Sequence, residues 1–597
     1  MIRFSLALIA AAFVAAGCAP ARSTAEMRIE PLAQSTPGLP GAAPRDPKSK
    51  IAPVVPRPVL PKVDLTEQLM FKLMLAEVAE QRGHMQVAVP AYLELARETR
   101  DPRIAQRATE VAWNARFADA AVEAAGIWLQ AEPNSSRARQ VLASLLVSQQ
   151  QLDQARGHFE QWLASDRPNV GQSFLQLSTL LARHKDKKQV LDLMRTLARP
   201  YQDVPEARLA VAQAAWNAND EALAISESAA ALKARPDWDL AALFQAQALQ
   251  RRSNEEALRF LADYLKTQPK SNDARLNYAR LLVAAKRYPD ARREFEILVA
   301  QNPQNADITM AVALLAMQAA DYDSAETHLK RALDTGYSDP DMVRIYLGQV
   351  SEERKRFEDA LKWYTTVQPG EQYVNAQGRY AGVLAKQGKL PEARKYLQQV
   401  QTQNAQQRLQ LTQAEAGLLR EASKYQEAFD LLGQALQKTP DSADLLYDHA
   451  MAAEKVNRVD VLETNLRKLI GMRPDHAHAY NALGYTFADR NERLPEAHQL
   501  IEKALQLAPD DAFIMDSMGW VLYRMGRTRE ALDYLQRTYA LRADADIAAH
   551  LGEVLWAAGQ HDQARKVWSD ALKEHAQNEA LQNTVKRFAP VILPASR

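Results

Sequence analysis

The sequence predicts an all-α protein built as a superhelical solenoid of helical hairpins. A small residue, usually alanine, recurs about every 34 residues between Ala88 and Ala564, as in helix-turn-helix repeats. The chain of 597 residues is also too long for one globular core. A solenoid escapes that limit because each repeat packs only against its neighbours. The hydrophobic content of 47% comes largely from Ala and Leu with few β-branched runs, which favours helices.

The repeat is clearest in residues 477–576, where three consecutive hairpins share one order of residue types. Glycine and alanine in the paired helices are expected to let the two helices approach closely. Glycine between the helices adopts the left-handed backbone of a turn at low cost. These positions are Gly484, Gly519 and Gly552 in the first helices, Gly526 and Gly559 in turns, and Ala497, Ala531 and Ala564 in the second helices. This pattern is the signature of the tetratricopeptide repeat (TPR).

Residues 64–577 are predicted to form about 15 such repeats in continuous phase. The small second-helix position is read at Ala88, Ala121, Ala155, Val190, Leu223, Ala257, Ala291, Ala325, Ala360, Ala393, Ala428, Leu462, Ala497, Ala531 and Ala564. The repeats near Val190 and Leu223 fit least well, which indicates either a bend or ordinary sequence drift. Residues 578–597 are expected to hold a final helix that covers the last repeat, followed by a tail.

The N-terminus reads as a secretory signal over residues 1–17, with Arg3 before an apolar stretch. Residues 15–18 (AAGC) resemble a bacterial lipobox, which implies cleavage before Cys18 and diacylation of its thiol. Ala19 follows the cysteine, and the resemblance then implies the outer membrane. The alternative is an ordinary secretory peptide with an incidental cysteine. Residues 18–63 form the expected disordered linker, since residues 19–63 hold ten of the 29 prolines.

Composition argues against nucleic-acid binding and against catalysis. The formal net charge is +1, without the basic block that a nucleic-acid partner requires. The single cysteine excludes disulfides within the chain and Cys-rich zinc sites. We find no phosphate-binding loop, no metalloprotease motif and no nucleophile elbow. We therefore expect no cofactor, no metal, no small-molecule substrate and no enzymatic activity.

Four aromatic residues are predicted to lie along the inner groove of the last three repeats. They are Tyr485, Trp520, Tyr523 and Trp556, all in first helices, which line the groove of a TPR superhelix. Two interpretations remain open, because aromatic residues at helical spacing either pack in the core or bind a partner. In the second case these residues would hold client proteins.

The first helix, over residues 65–80, is apolar on all sides. A terminal helix of a solenoid normally has one polar face, so this helix should be covered by something. Either the neighbouring helices cover it, or one of its rows docks a protein partner. The candidate docking residues are Leu69, Met70, Phe71, Leu73 and Met74.

Both ends of the chain resemble outer-membrane TPR lipoproteins of the LbcA type. The similar stretches are residues 514–526 (IMDSMGWVLYRMG), 550–559 (HLGEVLWAAG), 75–83 (LAEVAEQRG), 92–102 (YLELARETRDP) and 105–112 (AQRATEVA). The resemblance implies a lipid-anchored adaptor on the periplasmic face of the outer membrane. Such an adaptor binds a periplasmic carboxyl-terminal processing protease and promotes its degradation of peptidoglycan hydrolases.

Two other functions remain open at the level of sequence. TPR lipoproteins also serve as assembly scaffolds for exopolysaccharide export or secretion, and others could activate a peptidoglycan synthase. All three readings share a tethered helical scaffold with protein partners.

Overall fold

The computed structural model describes residues 60–590, which contain 31 α-helices and no β-strand. The all-α TPR solenoid predicted from the sequence is confirmed. The chain divides into two compact units, Met1–Tyr337 and Ser338–Arg597. Residues 1–59 and 591–597 lie outside the described part, so the predicted signal peptide, Cys18 and nearly all of the linker remain predictions.

The first unit contains sixteen described helices. They are α1 (Glu67–Gln81), α2 (Met85–Thr99), α3 (Pro102–Asn114), α4 (Ala118–Ala131), α5 (Ser136–Ser148), α6 (Leu152–Ser165), α7 (Val170–Leu181), α8 (Lys187–Ala198), α9 (Pro205–Asn217), α10 (Glu221–Ala234), α11 (Asp239–Arg252), α12 (Asn254–Thr267), α13 (Asn272–Ala284), α14 (Tyr288–Gln301), α15 (Ala306–Gln318) and α16 (Tyr322–Asp334).

The second unit contains fifteen described helices. They are α17 (Pro340–Glu353), α18 (Phe357–Thr365), α19 (Tyr373–Lys386), α20 (Leu390–Gln399), α21 (Ala405–Glu421), α22 (Tyr425–Lys438), α23 (Ala443–Lys455), α24 (Val459–Met472), α25 (Ala477–Asp489), α26 (Leu494–Leu507), α27 (Ala512–Arg524), α28 (Thr528–Leu541), α29 (Ala545–Ala557), α30 (His561–Glu574) and α31 (Glu579–Phe588).

The predicted small position falls in the second helix of all fifteen hairpins. Fourteen of the predicted residues are buried, with at most 4% exposure at Val190. Leu223 is the exception and that assignment is wrong, because Leu223 is only half-buried whereas Ala224 is fully buried. Leu223 and Ala224 lie 33 and 34 residues after Val190, so the repeat spacing allows either of them at the small position. The close contact between paired helices is made by Ala224, whose side chain is only a methyl group.

The region around Val190 departs from the regular hairpin. Short 3-10 helices at Arg167–Asn169 and Arg199–Tyr201 flank it. Helices α7 and α8 both pack chiefly against α9 rather than against each other. The weak repeat pattern predicted there therefore reflects a real change in helix packing within the first unit.

Glycine in the first helices of the second unit permits close helix contact, as predicted. A Cβ atom built on Gly552 would lie 2.1 Å from Nε1 of Trp568 in the paired helix α30. The corresponding Cβ on Gly519 would lie 2.5 Å from Cγ of Leu535 in α28. Both distances are far below van der Waals contact, so any side chain at these positions would force the hairpin apart.

The ends of the described region have different surfaces. The Thr66 side chain accepts a hydrogen bond from the amide of Leu69 at the start of α1. Helix α31 buries Leu581 and Val585 against the preceding hairpin. Within residues 60–590, no helix has the length and apolarity needed to cross a bilayer.

Candidate interaction surfaces

Helix α1 presents large apolar side chains to solvent. Of the 19 exposed large hydrophobic residues in the described region, nine lie between Leu60 and Val78, so exposure is concentrated at this end. The most exposed in α1 are Phe71 at 66% and Met74 at 61%. We call Met70, Phe71, Leu73, Met74, Leu75 and Val78 the N-terminal apolar surface.

The packed face of α1 consists of small residues. Ala76 and Ala79 are the buried residues of this helix, and Leu69 packs partly against the core. Ion pairs complete the attachment: Lys72 contacts Glu94 and Glu98 of α2, and Arg107 of α3 contacts Glu80 at 2.8 Å. Because alanines face the core, the large side chains of α1 are left outside.

Four of the five predicted docking residues are therefore exposed, namely Met70, Phe71, Leu73 and Met74. The alternative, that neighbouring helices cover most of α1, does not hold for residues 60–590. Leu69 is only partly available, since it packs against the core. Whether this surface binds a protein stays a prediction.

A second candidate surface is a groove in the second unit with a volume of about 820 Å³. Its walls come from α23, α25, α27, α29 and α31, which are the first helices of successive hairpins and the final helix. We call it the C-terminal groove. The groove follows from the repeat, because equivalent positions of successive first helices face the same side of the array.

The centre of the C-terminal groove is a hydrogen-bonded cluster from three successive first helices. His550 Nδ1 lies 2.7 Å from Asp516 Oδ2, and Tyr485 Oη lies 3.3 Å from His550 Nε2. The His550 ring stacks on Trp520, with centroids 4.3 Å apart and planes 24° apart. These contacts fix the relative positions of α25, α27 and α29.

Burial and charge act in opposite directions on His550. Burial alone would lower the pKa of its imidazole, but the adjacent Asp516 carboxylate outweighs it, and the pKa is raised above its ordinary value. Burial raises the pKa of the Tyr485 hydroxyl, so Tyr485 stays protonated. The cluster therefore holds a protonated imidazole against a carboxylate over a wider pH range than a free histidine would.

Only two of the four predicted aromatic groove residues line the C-terminal groove. Tyr485 and Trp520 do so, but Trp520 is only 4% exposed. Tyr523 is half-buried outside the groove lining. Trp556 packs against Trp568 and Phe588, with centroids 5.9 and 6.3 Å away. The four aromatic residues therefore do not form one continuous strip. Tyr485 and Trp520 belong to a mixed aromatic and polar cluster, whereas Trp556 packs against Phe588 of the final helix.

The sequence analysis identified no histidine as a site residue, and it therefore missed His550. The position of His550 within the repeat could have identified it as a groove residue. His550 lies two residues before Gly552, at the position that Ser517 and Ala482 occupy before Gly519 and Gly484. A titratable group at a position that is otherwise small and faces the groove marks it as unusual. The acidic rim residues Glu454 and Asp489 were also missed.

No group of three or more His, Cys, Asp or Glu side chains within residues 60–590 has the geometry of a metal site. Asp511 caps helix α27, because its side chain accepts hydrogen bonds from the amides of Phe513 and Ile514. What the described surfaces offer is shape, apolar area and charge for binding.

Comparison with known proteins agrees with the repeat architecture. Family models described as tetratricopeptide repeat match residues 248–315, 310–373, 447–512 and 517–579. The chain is 31% identical over 492 residues to the TPR repeat-containing protein PA4667 of Pseudomonas aeruginosa. That alignment covers 82% of each chain.

Two solved structures show partial similarity to this chain. The thermophilic TPR protein TTC0263 of Thermus thermophilus is 23% identical, with a TM-score of 0.27 over 30% of this chain and 96% of its own. Yeast Tom70 is 13% identical, with a TM-score of 0.34 over 88% of this chain and 96% of its own. The sequence relationship to the Pseudomonas protein and the confirmed hairpin repeat together establish that this chain belongs to the family of tetratricopeptide-repeat proteins, whose arrays typically serve as scaffolds for protein–protein interaction.

Proposed function

We propose that this chain is a lipid-anchored periplasmic adaptor that brings a carboxyl-terminal processing protease together with peptidoglycan hydrolases as its clients. The protease binds the N-terminal apolar surface, and the clients bind the C-terminal groove. Cys18 carries the acyl chains that hold the adaptor at the outer membrane. The adaptor performs no chemistry and acts by raising the concentration of client near the protease.

The observation that carries this proposal is the N-terminal apolar surface. Six large apolar side chains of one helix are each at least 38% exposed, although soluble proteins rarely leave such a cluster uncovered. Met and aromatic residues are typical anchors of protein interfaces, because they are large and adapt to a partner's shape. An amphipathic or apolar helix also fits a hydrophobic groove on a partner, with contacts every three to four residues.

The resemblance of residues 75–83, 92–102 and 105–112 to the LbcA type supports the protease as the partner. These stretches include the end of α1 and extend through the helices on which it packs. The same region therefore supports the proposal in two ways, by its sequence and by its exposed surface. The hydrolase clients rest on the resemblance alone.

Binding of purified protease to the full chain tests the proposal. We expect Met70→Glu combined with Met74→Glu to weaken binding at least tenfold, because two charges would enter an apolar interface. Both residues are exposed, so the variant should keep its helical circular dichroism. Leu240→Glu combined with Leu541→Glu is the matched control, with 48% and 68% exposure elsewhere. Equal affinity for the two variants would refute the docking assignment.

A further inference from the structure

A pocket of about 420 Å³ lies in the first unit. This volume falls within the range of about 300–1,000 Å³ that is typical of small-molecule sites. Helices α3, α5 and α7 form its walls, and residues just after α5 and α7 complete the lining. Its apolar lining residues are Trp113, Val141, Leu145, Val147 and Leu180. Trp113, Val141 and Leu180 are only partly buried although they pack against the core, so a ligand can still cover them.

The hydroxyl groups in the wall are already bonded to their own helices. Thr109 Oγ1 and Ser144 Oγ each donate to the carbonyl four residues earlier, at 2.7 and 2.8 Å. Ser148 Oγ donates to the carbonyl three residues earlier, at 2.6 Å. Gln140 and Gln150 supply the remaining neutral polar groups. The wall therefore suits a hydrocarbon chain better than a peptide main chain, whose carbonyl oxygens require hydrogen-bond donors.

The permanent charge at this pocket is positive. Arg183 lines it, whereas no Asp or Glu of the described chain does. The Arg183 side chain is exposed, and residues 60–590 offer it neither an ion pair nor a hydrogen bond. The side chain of Lys185 is likewise exposed and unpaired there. Asp186, the carboxylate nearest in sequence, accepts the amide of Gln189 and so caps α8.

His184 adds a buried polar group without a partner. It lines the pocket and is 3% exposed. Its Nδ1 lies 3.2 Å from the backbone nitrogen of Asp186, whereas Nε2 has no partner within the described residues. Buried polar groups are nearly always hydrogen-bonded, so Nε2 indicates a missing ligand atom beside it. In either charge state His184 adds no negative charge and does not offset Arg183.

We infer that this pocket binds a single-chain amphiphile with an acidic head group, such as a long-chain fatty acid. The chain covers Trp113, Val141 and Leu180, and the burial of apolar surface drives binding. The acid group pairs with Arg183, whose guanidinium forms strong hydrogen bonds with carboxylates and phosphates, and it offers an acceptor to His184 Nε2. The amphiphile is a ligand and not a substrate. The site requires neither the protease nor the clients, so the inference is independent of the proposed function.

The test uses the full chain in unlipidated form, as Cys18→Ser, so that no acyl group of the anchor competes. Isothermal titration calorimetry compares dodecanoate, dodecyl phosphate, dodecanol and dodecyltrimethylammonium, each below its micelle-forming concentration. We expect both acids to bind at least fivefold more tightly than dodecanol, and the cation to bind most weakly. The tighter of the two acids identifies the head group as a carboxylate or a phosphate. Hexanoate should bind at least tenfold more weakly than dodecanoate, because it buries less apolar surface.

Two substitutions locate the ligand in this pocket. Arg183→Gln removes the exposed cation, and it should weaken dodecanoate about fivefold while leaving dodecanol unchanged. Arg137→Gln is the matched control, because Arg137 is an exposed arginine of α5 outside the pocket lining. Ser144→Trp fills the pocket and should abolish binding of every chain. Circular dichroism and the thermal unfolding midpoint without ligand check that this variant folds.

Equal affinity for dodecanoate and dodecanol would overturn the inference, and so would equal effects of Arg183→Gln and Arg137→Gln. Unchanged binding by a folded Ser144→Trp variant would exclude this pocket as the site. If Ser144→Trp does not fold, the head-group comparison and the two arginine variants still decide. Protease binding is measured separately, so failure of the pocket assignment leaves the adaptor proposal standing, and the reverse also holds.

Discussion

At the scale of single residues, the closest helix contacts depend on the absence of a side chain. We predict that Gly552→Ala destabilises the second unit by about 1–3 kcal/mol, because the added Cβ would overlap the Trp568 ring. Gly417→Ala is the control, since a Cβ there meets no atom within 4 Å. In mid-helix that change should stabilise by about 0.5–1 kcal/mol. Urea unfolding of both variants measures the difference, and loss of stability of equal size in both would contradict this account.

The His550–Asp516 pair should make stability depend on pH. A histidine whose pKa is raised by folding stabilises the folded state below its unfolded pKa of about 6.5, and this contribution is lost as pH rises through the folded value. We predict that the stability difference between the wild type and His550→Gln is largest near pH 6 and shrinks towards pH 9. A difference that grows with pH would show that His550 is neutral in the folded protein.

Residue-level prediction from the sequence succeeded where one physical constraint dominates. The glycines at tight helix contacts and the buried alanines were identifiable because few other residues fit there. Leu223 was misassigned because adjacent Leu and Ala both fit the repeat spacing. Trp556 and His550 could not be placed, because their surroundings depend on how the final helix and a neighbouring hairpin close around them.

At the scale of helices, α31 should stabilise the last hairpin without supporting the rest of the chain. We predict that Leu581→Ala combined with Val585→Ala speeds hydrogen exchange in α29–α31 only, because each removes a fully buried side chain from the α31 contact. In a solenoid each repeat contacts only its neighbours, so the effect should remain local. Lys586→Ala, at an exposed position of the same helix, is the control. Faster exchange throughout the second unit would contradict the local assignment.

Helix positions were largely predictable because the 34-residue repeat fixes the alternation of helices. The exposure of α1 was not predictable, because its sequence is apolar on several faces. That sequence allowed either burial of the helix by its neighbours or docking of a protein partner. The structure excludes burial by the described helices, because Ala76 and Ala79 are the buried residues of α1 and most of its large side chains are exposed. Docking of a partner there remains a prediction. The unusual packing of α7 and α8 was visible in the sequence only as a weaker match to the repeat.

At the scale of the whole molecule, the proposed membrane anchor is tested at Cys18. We predict that Cys18→Ser either releases the protein from the membrane fraction or leaves its precursor uncleaved, because two acyl chains are needed for stable attachment. Fractionation and labelling with a palmitate analogue measure both outcomes. A variant that still fractionates with the outer membrane and still incorporates the label would exclude Cys18 as the anchor.

The central claim is that this chain accelerates proteolysis by bringing two proteins together. The most direct measurement is the rate at which a purified processing protease degrades a purified peptidoglycan hydrolase, with and without the full chain. We predict at least tenfold acceleration by the wild type, none by Met70→Glu combined with Met74→Glu, and full acceleration by Leu240→Glu combined with Leu541→Glu. An unchanged degradation rate with the wild type, or equal acceleration by the first variant, would contradict the claim.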